Sequence, residues 1–155
     1  METTTLPAPA GTLATDILGI WKLETRRDVD AAGVGRIDPG LGADPLGILC
    51  FAPGYFAAQF MKRDRSASAT SAGGQAPANN SSAVGGYDAY FGTYTLDVSA
   101  GTLTTVLEGS LSPSNVGSRF VRDVRVAGNK LTIQLATTAP DGAHITRTLV
   151  FARLM

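Results

Sequence analysis

Apolar and polar residues alternate with period two along most of this chain, the spacing of strands whose two faces meet different surroundings. Leu131, Ile133 and Leu135 alternate with Lys130, Thr132 and Gln134. Phe120, Arg122, Val124 and Val126 share one side of a run whose other side is Val121, Asp123 and Arg125. In the last run, Ile145, Arg147, Leu149, Phe151 and Arg153 stand opposite Thr146, Thr148 and Val150. The segment Tyr55–Met61 departs from this pattern. Tyr55, Ala57, Gln59 and Met61 form one face and Phe56, Ala58 and Phe60 the other, and both are mainly apolar. One face is expected to line an interior and the other to meet a covering element.

Turn residues separate these runs. Gly92–Pro113 reads as strand, tight turn and strand, with Ser99-Ala100-Gly101 at the turn. Pro53-Gly54, Pro113–Gly117, Gly128-Asn129 and Pro140-Asp141-Gly142 mark the other short connections. Asp16 is expected to cap a short helical turn, with the first strand running from Trp21 through Leu23 and Thr25. Residues 28–47 are dense in Gly and Pro. Leu46–Phe51 and Tyr87–Leu96 complete the strands, and no long helical period occurs. A meander of this kind removes its open edges by closing on itself. The expected fold is therefore all-β: a single closed antiparallel barrel of about eight strands, with room for packed side chains or one small ligand. Residues 1–15 are expected to be a flexible lead-in and 16–155 the barrel domain. Residues 62–86 are expected to form a long flexible loop, a flap over one mouth with a helical turn near Ala83.

Composition narrows the partners. A length of 155 residues suits one domain with a real core. Formal net charge is zero, which leaves no basic footprint for nucleic acid. Cys50 is the only cysteine, so no intrachain disulfide forms. No apolar run approaches the roughly 20 residues of a membrane-crossing helix, and the N-terminus lacks a secretory pattern. No membrane partner and a cytoplasmic location are the expectation; a homodimer is admitted.

Several stretches resemble the bacterial and fungal lipocalin-like domain family. They are GIWKLE (Gly19–Glu24), DPLGILCFAPGYFAAQFMKRDR (Asp44–Arg65), YDAYFGTYTLD (Tyr87–Asp97), VLEGSLSPSNVG (Val106–Gly117) and LVFAR (Leu149–Arg153). The resemblance runs from Gly19 onward in the same motif order and implies a lipocalin-like barrel. It also implies that Arg153, on the last strand, packs over Trp21 at the barrel base. Glu108 and Arg122 match the family pattern. One or two histidines that the family often carries are replaced by Thr105 and Val106.

Candidate chemistry follows from charges amid apolar neighbours. Glu108 and Arg122 lie on successive strands; pointing inward together, they would form an internal ion pair or grip a polar ligand group. In an enzyme, Glu108 would accept a proton and Arg122 would steady an enolate or carboxylate. Glu108→Gln would then abolish turnover. Tyr90 joins them as the third catalytic candidate. Tyr94, Gln59, Met61, Tyr87 and Phe120 are the expected pocket wall. His144, the only histidine, is expected at an exposed mouth, and Cys50 as a buried small hydrophobe. Gly40-Leu41-Gly42 does not follow a strand and opens no helix, so it is no dinucleotide motif. No cofactor or metal is expected. The residues point to a barrel binding a small hydrophobic or aromatic molecule. Its function is either a cofactor-independent isomerase, cyclase or lyase of secondary metabolism, or a non-catalytic carrier.

Overall fold

A computed structural model describes residues 12–65 and 83–155. After a single helical turn, α1 (Thr12–Asp16), nine strands follow: β1 (Gly19–Asp30), β2 (Gly35–Arg36), β3 (Leu46–Ala52), β4 (Tyr55–Met61), β5 (Tyr87–Asp97), β6 (Thr102–Ser110), β7 (Arg119–Ala127), β8 (Lys130–Thr138) and β9 (His144–Arg153). The order is β2-β1-β3-β4-β5-β6-β7-β8-β9, all antiparallel, and β1 also pairs with β9. Eight strands therefore close a barrel, with two-residue β2 hung on the far end of β1. Asp16 ends α1 rather than opening it, and its carbonyl accepts from Arg153 at the barrel base.

The barrel base is built around Trp21, which is fully buried. Its indole Nε1 donates to the Ile17 carbonyl at 2.8 Å. The Arg153 guanidinium lies 4.2 Å over the ring and donates to the Leu18 and Asp16 carbonyls. Arg153 thus satisfies carbonyls left open by the short helix while capping the aromatic face.

Inward positions keep strand parity. Leu49 and Phe51 on β3, Phe56, Ala58 and Phe60 on β4, Leu103 and Leu107 on β6, Leu131, Ile133 and Leu135 on β8, and Leu149 and Phe151 on β9 are all buried. Two bulges reset this parity. On β1, Leu23 faces Phe151 while Thr25 faces Val150, so one extra residue is absorbed. Inward positions move from Trp21 and Leu23 to Arg26 and Asp28. On β6, Gly92 faces Leu107 while Phe91 faces Gly109, leaving Glu108 as the extra residue. The close approach there explains Gly92, since a Cβ would sit 1.9 Å from the Val106 carbonyl oxygen.

The second face of β4 has no covering element among the described residues: Tyr55 is 58% exposed and Gln59 is also exposed. Cys50 is half-buried on the outer side of β3 rather than in the core. Ala83 is not helical; Val84 forms an isolated bridge with Tyr87. Residues 66–82 of the expected flap lie outside the described residues. Among those described, no helix is long and apolar enough to cross a membrane.

Candidate functional site

The interior holds a cavity of about 60 Å³, enough for a few waters or a small fragment. Its wall has two characters. Leu49, Phe51, Phe56, Phe60, Leu149 and Phe151 form the apolar part. Arg26, Asp88, Tyr90, Thr105, Arg122 and Arg147 form the polar part. A second chamber of about 590 Å³ lies at the mouth, lined by Asp28, Arg36, Asp38, Ala83, the 137–141 turn and Arg147. Its size falls in the range of small-molecule pockets, about 300–1,000 Å³. Arg147 contributes to both chambers.

An ionic lattice stands between them. Asp28 and Arg147 are direct cross-strand partners on β1 and β9. Arg147 Nε and Nη2 donate to the two Asp28 oxygens at 2.8 and 2.9 Å, a fork-on-fork pair. Arg26 donates to Asp38 at 2.9 Å, and Arg147 reaches Asp38 at 3.8 Å. All four side chains are no more than 7% exposed. Asp38 comes from the loop after β2, where its Oδ1 also accepts from the Gly40 backbone N–H.

The lattice holds Asp38 in its charged form. Burial would push the Asp38 carboxyl upward, but Arg26, the Gly40 N–H and Arg147 outweigh it and hold the carboxyl below its ordinary value. A group lowered on folding contributes stability above its unfolded pKa and loses it as pH falls through the folded one. The urea midpoint is therefore expected to be flat at neutral pH and to fall below about pH 4, near the unfolded aspartate value. Asp38→Asn should flatten part of that fall; an unchanged profile would remove Asp38 from the acid transition.

Tyr90 stands on the inner face of β5 against Phe56 and Phe60, with ring centroids 6.0 and 6.3 Å away. Burial first and the Asp88 charge second push its phenol up to about 12. It therefore stays a neutral hydroxyl, able to donate a hydrogen bond. Arg122 lies on the inner face of β7 with its guanidinium 4.7 Å over the Phe120 ring. Burial lowers its pKa.

The sequence-derived candidates divide between two surfaces. Tyr90 and Arg122 line the cavity, Phe120 supports Arg122, and Tyr94 is buried in the core edge-on to Phe51 at 5.0 Å. Glu108 is exposed, at a bulge and out of parity with the inward Leu107. The expected Glu108–Arg122 pair is not made, because Arg122 faces Leu103 across the β6–β7 ladder and points inside. Gln59, Met61 and Tyr87 line a shallow outer groove, where the Tyr87 hydroxyl donates to Gln59 at 2.6 Å. Glu108→Gln is accordingly expected to change stability by less than about 0.5 kcal/mol, as exposed substitutions usually do. A loss above 1.5 kcal/mol in urea melts would contradict its placement.

Sequence reasoning missed Arg26, Asp28, Asp38, Asp88, Thr105 and Arg147 as site residues. Asp88 shares strand parity with Tyr90, Thr105 with Leu107, and Arg147 with Leu149, so these were legible by spacing. His144 is exposed at the start of β9, as expected. No cluster of metal-ligating side chains occurs among the described residues.

A closed eight-stranded barrel with an interior cavity walled by apolar and charged side chains defines a lipocalin-like architecture. The chain belongs to the lipocalin-like domain family, whose model matches residues 18–154. No curated protein matches it. Among solved structures, it resembles Rv2717c from M. tuberculosis at 14% identity, over 96% of this chain and 99% of that one, with a TM-score of 0.39.

Proposed function

We propose that the barrel binds one small, largely apolar molecule that carries a neutral oxygen-centred polar group. The observation that carries this reading is the two-sided cavity wall: aromatic and aliphatic side chains facing Tyr90, Arg122, Thr105 and Asp88. An apolar pocket with a few convergent polar groups binds by burying the body and orienting the head. The inner cavity takes the apolar body against its aromatic and aliphatic wall and turns the polar group toward Tyr90, Thr105 and Arg122. A cofactor-independent isomerase, cyclase or lyase is the second reading. It is favoured by Tyr90, a phenol kept neutral beside a buried arginine, which suits stabilisation of charge developing on a substrate oxygen.

Native mass spectrometry of the purified protein tests the binding reading. A 1:1 adduct released on denaturation is expected. For empty protein, the neutral fluorophore N-phenyl-1-naphthylamine should brighten on addition and be displaced by apolar ketones or phenols. A barrel that carries no adduct and does not brighten the fluorophore is not a binding protein of this kind.

A further inference from the structure

The outer surface of the barrel is not uniformly polar. β1 and β7 turn charges outward, among them Lys22, Glu24, Arg119 and Asp123. The three adjacent strands β3, β4 and β5 do not. From Leu46 to Ala52, from Tyr55 to Met61 and from Tyr87 to Thr95, every outward side chain is uncharged. The larger apolar members of this face stay in water: Tyr55 is 58% exposed, Phe91 53% and Ile48 38%.

The face has relief. Tyr55 pairs with Thr93 and Ala57 with Phe91, so the two exposed rings are diagonal neighbours on adjacent strands and form a ridge. The Phe91 ring is seated over Gly109, where a Cβ would come within 2.3 Å of it. That seat holds the ring in place without covering it. At the other end of the same face lies the outer groove of about 310 Å³, lined by Lys22, Ile48, Gln59, Met61 and Tyr87. Ridge and groove are separated by the run from Tyr55 to Met61, about 20 Å along β4.

We propose that this face docks a second copy of the chain, in a reversible two-fold dimer in which the Tyr55–Phe91 ridge of each copy enters the groove of the other. A two-fold contact needs one patch that is complementary to itself. A ridge and a groove side by side meet that need when the axis passes between them, near Ala57. Charge selects the same occupant. A charged partner would lose water against this face and find no opposite charge there, whereas a second uncharged face loses nothing of the kind. Lys22, at the rim of the groove, makes no ion pair among the described residues, and the incoming aromatic ridge offers its ammonium a ring face. Area sets the strength. Three strands spaced about 4.8 Å apart and about 24 Å long give a footprint of about 350 Å². Side-chain relief adds to this but leaves it short of the roughly 800 Å² per partner of a standard interface, so the dimer forms at micromolar rather than nanomolar concentration. The contact leaves the interior untouched and does not depend on what the barrel binds.

Sedimentation velocity over a micromolar-to-millimolar concentration series tests the proposal. The weight-average mass of the wild type should rise from that of one chain toward that of two. Ala57→Glu places a carboxylate on an exposed position at the centre of the face and, across the axis, opposite its own copy. It should remain monomeric throughout and melt at the wild-type temperature. Tyr55→Ala should weaken association about 10-fold or more, the scale of an interface aromatic. Val116→Glu, at an apolar position 51% exposed outside this face, should associate like wild type. Wild type that stays monomeric at millimolar concentration overturns the proposal, and so does a dimer that survives Ala57→Glu or is lost in Val116→Glu. A monomer that instead sediments with phosphatidylcholine vesicles, and no longer does so as Ala57→Glu, would assign the face to a lipid surface and overturn it as well. If Ala57→Glu does not melt cooperatively, Tyr55→Ala decides, and undiminished association there overturns the proposal.

Discussion

Arg147→Met is expected to lower folding stability by about 3–5 kcal/mol, the cost of leaving a buried charge without its partner. The substitution keeps much of the side-chain volume and removes the fork that Asp28 accepts at 2.8 and 2.9 Å. Asp28 is 6% exposed and has no easy route to water. Asp38 also loses its second cation, though Arg26 stays at 2.9 Å. The instructive experiment is the double variant. Asp28→Leu with Arg147→Met replaces both charges by apolar side chains on directly opposed positions of β1 and β9. Its stability should return to within about 1 kcal/mol of wild type, because buried ion pairs seldom outdo the apolar groups that fit the same space. Urea melts of the four proteins in this cycle give the coupling directly. A single variant that loses less than 1 kcal/mol would mean that water reaches Asp28 and that the two chambers are one. If the double variant is as stable as expected, the Asp28–Arg147 pair is not required for the stability of the fold.

The barrel was legible because most strands keep period two without interruption. β8 is the clearest case: Leu131, Ile133 and Leu135 all point inward, as their spacing requires. The site was only half legible, and the bulges explain most of the shortfall. Before the β1 bulge, Trp21 and Leu23 define an inward face of odd-numbered residues. After it, Arg26 and Asp28 face in, which no constant period would anticipate. Glu108 drew attention as a carboxylate among uncharged neighbours. Its position in the β6 bulge, opposite in parity to Leu107, puts it in water. Asp38 belongs to a loop, where no period exists to place a side chain. Arg147 was readable, since it sits between Ile145 and Leu149 on an otherwise apolar face. A charge in that position must find an opposite charge inside, and the cross-strand register supplies Asp28. Gln59 and Met61 on β4, and Tyr87 opposite Met61 on β5, face outward for a different reason. Both faces of β4 are apolar, and composition alone does not say which one turns inward.

Trp21→Ala is expected to cost about 3–5 kcal/mol, in the range found when large buried aromatics are truncated. More than a void is involved. Trp21 is fully buried at the start of β1, where that strand pairs with β3 on one side and β9 on the other. Its loss removes the hydrogen bond to the Ile17 carbonyl and the ring beneath Arg153. The guanidinium would retain its bonds to the Leu18 and Asp16 carbonyls, so α1 should stay docked. Arg153→Met separates the two contributions. It keeps a long side chain over the indole but leaves those carbonyls without their donor, and a loss of about 1–3 kcal/mol is expected. Thermal or urea melts order the variants: wild type, then Arg153→Met, then Trp21→Ala. The cavity residues Tyr90 and Arg122 belong to a different part of the interior, and Trp21 does not line their cavity. Ligand uptake by the Arg153→Met protein at temperatures where it is fully folded should therefore match wild type. Reduced uptake there would mean that the base plug and the cavity are mechanically coupled, and that closure of the barrel at Trp21 sets the shape of the site.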